Sequence, residues 1–164
     1  MSRAFVKERD GEEAPDSLPQ RPVSPHPNYM TPAGLAELQA KVAELLREKA
    51  RLSGEDSMDA VQRLRSVERE LRYYEGRVAS AIVADPATQP RDRVHFGATV
   101  EVEDETGAVS RYTIVGEDEA DAARGRISWV SPLARALLGA EVGESVTWRR
   151  PAGDKELIVR AITA

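Results

Sequence analysis

"SGEDSMDA", Ser53–Ala60, separates two long stretches with helical periodicity. Upstream, Leu35, Leu38, Val42 and Leu45 recur at 3-4-3 spacing, and the pattern continues through Lys49 to Leu52. Downstream, Leu64, Val67, Leu71, Tyr74, Val78 and Ala81 recur at 3-4-3-4-3 spacing. Two heptad seams joined by a short polar bend containing Gly54 predict an antiparallel α-helical coiled-coil hairpin. The first helix starts at Thr31-Pro32, a capping residue followed by a proline whose missing N–H costs nothing in the first turn. The second starts near Asp56 or Ser57 and runs to about Val83. Helices of about 22 and 27 residues would be roughly 33–40 Å long. Such an arm buries only one narrow seam and needs another domain at its base. The bend also carries Glu55, Asp56 and Asp59, far from any core. Asp56 fits an N-cap, and Glu55 and Asp59 suit the positive end of the second helix dipole. That structural reading competes with a chemical one.

The chain has 164 residues and a formal net charge of -5. That length allows one ordinary domain or two small ones. Its acids are dispersed and its bases unclustered, which argues against a surface that itself grips nucleic acid. With no cysteine there is no disulfide framework, thiol nucleophile or Cys-based zinc site. His26 and His95, the two histidines, are far apart in sequence and suggest no metal site. No apolar run approaches the ~20 residues that span a bilayer, and no signal segment opens the chain. The expectation is a soluble, cytoplasmic protein with no membrane contact.

Residues 1–30 carry half of the ten prolines and no periodicity, and predict a disordered tail. Residues 31–85 are the arm, and 86–93, within "DPATQPRDR", a proline-bearing linker. From residue 94 the period becomes two. "ATVEVED", "RYTIVG", "RISWVS", "SVTWRR" and "ELIVRAI" read as strands, with turns at Glu105-Thr106-Gly107 and Pro151–Asp154. A short helix over Pro132–Leu138 follows Ser131 as N-cap. The expected fold is α+β: the helical hairpin, then an antiparallel β-domain with one short helix over 94–164. That domain has eight Lys/Arg against twelve Asp/Glu, unsuited to binding phosphate directly.

"VHFGATVEVED", "YTIVGEDEAD", "ISWVSPLARALLG" and "PAGDKELIV", with "TPAGLAEL" ahead of them, resemble in order and spacing the bacterial Gre transcript-cleavage factors, GreA and GreB. The resemblance covers about residues 29–164. It implies an FKBP-like C-terminal domain, without isomerase activity, that docks on RNA polymerase at the mouth of the secondary channel. Contact would centre on Val130, Ser131, Pro132 and Ala134, and the coiled coil would enter the channel. It further implies that tip acids help hold a Mg2+ ion of the polymerase active site and position water to cleave a backtracked transcript. The protein would then be no enzyme and have no cofactor of its own. It would act as a monomer and meet the RNA 3′ end only indirectly. Glu55, Asp56 and Asp59 would support the catalytic ion, with Glu55 and Asp59 as the metal-facing pair; carboxylate oxygens are the hard ligands magnesium prefers.

The family's tip reads approximately G-D-x-S-E-N-A-x-Y, and this chain has Gly54-Glu55-Asp56-Ser57-Met58-Asp59-Ala60-Val61-Gln62. Glu55 stands in the place of the family's Asp, Met58 in that of its Glu, Asp59 in that of its Asn, and Gln62 in that of its aromatic. The resemblance also implies an arm shorter by about one heptad per helix, roughly 10 Å of reach. Three functions compete. The first is a cleavage-stimulating elongation factor, weaker than GreA or GreB. The second is a secondary-channel regulator without cleavage stimulation, which Met58 and the short arm fit. The third is a prolyl isomerase, for which two Phe, two Trp and four Tyr make an aromatic pocket hard to assemble. Arg63, Arg65, Arg69, Arg72 and Arg77 form a mildly basic strip that could approach RNA, or a solvated flank with ion pairs.

Overall fold

Thr31 starts the first helix as the sequence suggests: its hydroxyl accepts from the Gly34 N–H at 3.0 Å, ahead of Pro32 in the first turn. The computed structural model describes residues 18–164. In it α1 spans Pro32–Leu52 and α2 spans Met58–Ser80. The chain divides into two compact units: residues 18–24 with Ala40–Gly76, and Pro25–Gln39 with Arg77–Ala164. The division crosses both helices rather than falling near residue 85.

In the first unit the heptad reading holds. Leu45 and Leu52 from α1 meet Ala60, Val67 and Leu71 from α2, with Val42, Leu64 and Tyr74 packed against them. The expected seam fails one turn later. Val78 is only half-buried, and Arg77 beside it is 3% exposed. Its guanidinium donates to Asp118 at 2.6 Å and to the Asn28 side-chain oxygen at 2.7 Å. Asn28 in turn donates to the Arg77 carbonyl at 2.8 Å and the Ser80 hydroxyl at 3.0 Å. A buried guanidinium needs such partners, and they assign this turn of α2 to the second unit.

Two further expectations change here. α2 stops at Ser80, short of Val83, because Ile82–Val83 is extended and forms β2. β2 pairs in parallel with β1, Tyr29–Met30. The Ile82 N–H donates to the Asn28 carbonyl and the Ala84 N–H to that of Met30, both at 2.8 Å. Adjacent β-branched side chains favour this over another helical turn. The tail expected to reach residue 30 therefore ends earlier: Asn28 is 5% and Met30 1% exposed. Residues 1–17 of that tail lie outside the described residues.

The remaining strands are β3 (Thr99–Asp104), β4 (Val109–Val115), β5 (Arg126–Ser128), β6 (Ser145–Trp148) and β7 (Lys155–Thr163), in the order β5-β4-β3-β7-β6. Alternation along β3 sends Val100 and Val102 inward. They join Ile114, Leu157 and Val159, and Leu133, Ala134 and Leu137 of α3 (Pro132–Leu137) cover them. The sheet is not wholly antiparallel, since β4 and β5 pair in parallel, Thr113 opposite Arg126. The connection turns through two 3-10 segments and Gly125, whose φ of 68° suits glycine.

The first 3-10 segment, Glu117–Glu119, organises the second unit. Glu119 is 8% exposed, and its carboxylate accepts from the N–H groups of Gly116 (2.8 Å) and Thr31 (3.1 Å) and from the Thr31 hydroxyl. A Cβ added at Gly116 would overlap the Tyr29 carbonyl oxygen, whereas one at Gly54 would meet only the Arg51 carbonyl at 3.7 Å. Gly116→Ala should therefore cost about 1–3 kcal/mol in urea unfolding, while Gly54→Ala should stay within about 0.5 kcal/mol. Equal stability of the two variants would contradict the close approach at Gly116.

At the β3–β4 turn, Asp104 accepts from the Thr106 hydroxyl (2.6 Å) and from the N–H groups of Thr106 and Ala108 (2.9 and 3.0 Å), and pairs with Lys155 at 3.2 Å. The Thr106 hydroxyl above all, with Lys155 and the two amides, lowers its pKa to about 2, against the smaller opposing effect of desolvation. A depressed carboxyl stabilises the fold above its unfolded value, about 3.9, and that contribution is lost as pH falls through the folded value. The Asp104 carboxyl resonance should titrate with a midpoint near 2. A midpoint near 4, the free-Asp range, would show that the turn is not formed around it.

Candidate functional site

The bend between α1 and α2 is built from backbone groups that finish one helix and start the next. The Ser53 N–H donates to the Lys49 carbonyl at 3.0 Å and the Glu55 N–H to that of Leu52 at 3.1 Å. The start of α2 is capped by Ser57, not Asp56: its hydroxyl accepts from the Ala60 N–H at 3.2 Å, and its carbonyl from the Val61 N–H at 3.0 Å. This corrects the reading of Asp56 as the cap. Glu55, Asp56 and Asp59 are all exposed. Among the described residues, none of their carboxylates accepts a hydrogen bond or joins an ion pair, so the bend does not use them to hold its shape. Asp59, in the first turn of α2, retains the favourable dipole contact. Met58 opens the helix with 72% of its surface exposed.

Nearby, Arg63 makes a two-pronged bond from α2 to Glu48 on α1, at 2.7 and 3.2 Å. That hydrogen-bonded pair lowers the Glu48 carboxyl below its ordinary value. Arg72 donates to Gln20 at 3.2 Å, and Arg77 is buried in the second unit. Arg63, Arg72 and Arg77 thus have partners inside the chain, which favours the structural reading of that strip.

The expected docking residues lie where β5 passes into α3. The Ser131 hydroxyl accepts from the Ala134 N–H at 3.3 Å, and Pro132 follows at the first helical position. Pro132 is exposed, and Val130 and Ser131 are half-buried. Ala134 is 0% exposed, on the face of α3 that packs into the core. It cannot touch a partner, and its place in the expected set is corrected: one helical turn cannot present both Pro132 and Ala134 outward. Ser131 and Pro132 instead border a largely apolar cavity of about 480 Å³, with Tyr112, Ile127, Leu133 and Trp148 in its lining. Of the residues in that lining, Tyr112 of β4 and Trp148 of β6 are the aromatic ones, which keeps to the expectation that an aromatic-lined pocket is hard to assemble here.

The sequence reading missed the cluster of Asn28, Thr31, Arg77, Asp118 and Glu119. Thr31 lies in "TPAGLAEL" and Asp118 and Glu119 in "YTIVGEDEAD", and no local feature of either stretch pairs them. No group of three or more His, Cys, Asp or Glu that could hold a metal occurs among the described residues. As donors, Glu55 and Asp59 suit a hard cation as added ligands, whereas the Met58 thioether does not. No helix among the described residues is long and apolar enough to cross a membrane.

Residues 89–164 match the family model described as "Transcription elongation factor, GreA/GreB, C-term". Transcription elongation factor GreB of Neisseria meningitidis serogroup B is 32% identical over 151 residues, covering 82% of this chain and 93% of that protein. Transcription elongation factor GreA of Zymomonas mobilis is 38% identical over 135 residues, covering 78% and 85%. The chain belongs to the GreA/GreB family. Among solved structures, Gfh1 of Thermus aquaticus is similar at 26% identity over 84% of this chain and 98% of that one, with a TM-score of 0.42.

In this GreA/GreB family member, the helix start and the acids at the bend are separable. Ser57→Ala should destabilise the first turn of α2 by about 0.5–2 kcal/mol, while Asp56→Asn should leave helicity and unfolding midpoint unchanged. An equal loss from Asp56→Asn would restore the capping role to that carboxylate.

Proposed function

We propose that this protein is a Gre-type accessory factor of bacterial RNA polymerase that acts in the cytoplasm as a monomer, supporting the polymerase's own hydrolysis of backtracked RNA rather than catalysing it. In this reading residues 94–164 are an FKBP-like docking domain, with Val130, Ser131 and Pro132 at its contact face and the adjoining apolar cavity taking a side chain of the polymerase. The helix pair, an antiparallel coiled coil, enters the secondary channel and meets the transcript 3′ end only indirectly. The observation that carries the proposal is the tip itself: three exposed carboxylates with no partner among the described residues, on a bend whose cap is another residue.

A Mg2+ ion of the polymerase, when bound, stabilises the attacking and leaving oxygens of the cleavage reaction. Glu55 and Asp59 would add oxygen ligands or orient water beside that ion. Asp56 would contribute negative potential. Met58 offers neither coordination nor a hydrogen bond to water, so cleavage stimulation should be weaker than with a carboxylate there. Its exposure, 72%, also favours the second reading, a channel-occupying regulator without cleavage stimulation.

Cleavage of RNA in a stalled, backtracked polymerase complex, measured together with binding, tests both. Changing Glu55, Asp56 and Asp59 together to Gln or Asn should remove cleavage and preserve binding. Met58→Glu should raise cleavage, and Pro132→Glu should abolish binding without unfolding, since an acid is well tolerated at a helix start. If the native protein binds and alters transcription but cleaves nothing, the regulator reading stands. If the triple variant changes neither output, the acids have no role there.

A further inference from the structure

Residues 18–24, ahead of the Gre resemblance, form neither helix nor strand, yet they are seated on α2. The Arg21 guanidinium carbon lies 3.7 Å from the Tyr73 ring centroid and 5.4 Å from that of Tyr74. Its Nη1 pairs with Glu70 at 3.0 Å. The two rings meet edge to face at 5.2 Å and 83°, and Arg72 fixes the neighbouring Gln20. Arg21 sits between Pro19 and Pro22. Proline fixes its own φ and pushes the residue before it toward an extended conformation, so little chain entropy remains to be lost on docking. Aromatic rings beside an acid are the usual receptor for such a segment, and the planar guanidinium can stack and pair at once.

We propose that Glu70, Tyr73 and Tyr74 form a binding site for an arginine carried between prolines in an extended segment, and that residues 18–24 are its resident, displaceable occupant. The side chains of Arg21 and Glu70 are 31% and 32% exposed, so the pair is reached by solvent. The Glu70 ion pair, the two cation–π contacts and the Arg72–Gln20 hydrogen bond are all reached by solvent and individually weak. Such contacts can be exchanged for those of a second segment of the same chemistry, independently of the function proposed above.

The test uses the full chain and a synthetic peptide of residues 18–24, followed through the ring resonances of Tyr73 and Tyr74. The Arg21→Ala protein should bind the peptide, and the native protein should bind it about tenfold more weakly because Arg21 competes. A peptide with alanine for the arginine should not bind, and Glu70→Gln in the Arg21→Ala protein should weaken the complex. Tyrosine signals that ignore the arginine peptide would overturn the site, and equal binding of both peptides would overturn arginine recognition. Equal binding by the native and Arg21→Ala proteins would overturn residence by residues 18–24. Loss of helicity in Arg21→Ala would show a structural strut rather than a displaceable occupant.

Discussion

The buried carboxylate of Glu119 is the constraint on which the second unit depends. A charge 8% exposed must be matched by donors, and three are supplied: the N–H of Gly116, and the N–H and hydroxyl of Thr31. The same Thr31 hydroxyl caps α1 by accepting from Gly34. One residue earlier in the 3-10 segment, Asp118 receives the Arg77 guanidinium from the last turns of α2. The start of one helix and the end of the other are therefore fixed by adjacent side chains of a single turn. Gly34 and Gly116 are required because a Cβ at either would overlap Glu119 or the Tyr29 carbonyl.

Such a cluster gives specificity more surely than stability. Desolvating Arg77 and Asp118 offsets much of their attraction, yet removing either alone would take from the other its buried, oppositely charged partner. An apolar cluster of equal volume could pack there in several registers. The ion pair and the three-donor cage accept one. This explains why α2 buries Arg77 there, while Val78, the seam position of the heptad pattern, is only half-buried.

How much was legible follows from the range of the interactions. Thr31-Pro32 and Ser131-Pro132 announced their helices because capping is local, and the seam from Val42 to Tyr74 was legible because its period is. The burial of Arg77 was not, since its partners lie 41 and 49 residues away and nothing local distinguishes it from Arg63 or Arg72. The parallel pairing of β5 was hidden because strand direction depends on the path of the connection, not on alternation. Ser57 as the cap was within reach, since Ser and Asp are comparable caps, but sequence alone could not choose between neighbours. At the docking face, "SPLARAL" located the corner, and only the helix phase separated exposed Pro132 from buried Ala134.

The tip shows how one cap can change the meaning of three acids. Had Asp56 closed the first turn of α2, its charge would be partly spent on backbone N–H groups. Ser57 does that work without charge, which leaves the carboxylates as bare negative potential on an exposed bend. Such potential reaches only about 8 Å at physiological salt. It can raise the local concentration of a divalent cation without binding it, and direct coordination needs a carboxylate brought within about 2.1 Å of the ion. Between these regimes, geometry matters more than acid count. Glu55 lies in the bend and Asp59 in the helix, with Met58 placing an apolar surface beside them. In the proposed role, two oxygen donors held by different elements can approach one ion only as closely as that exposed side chain permits.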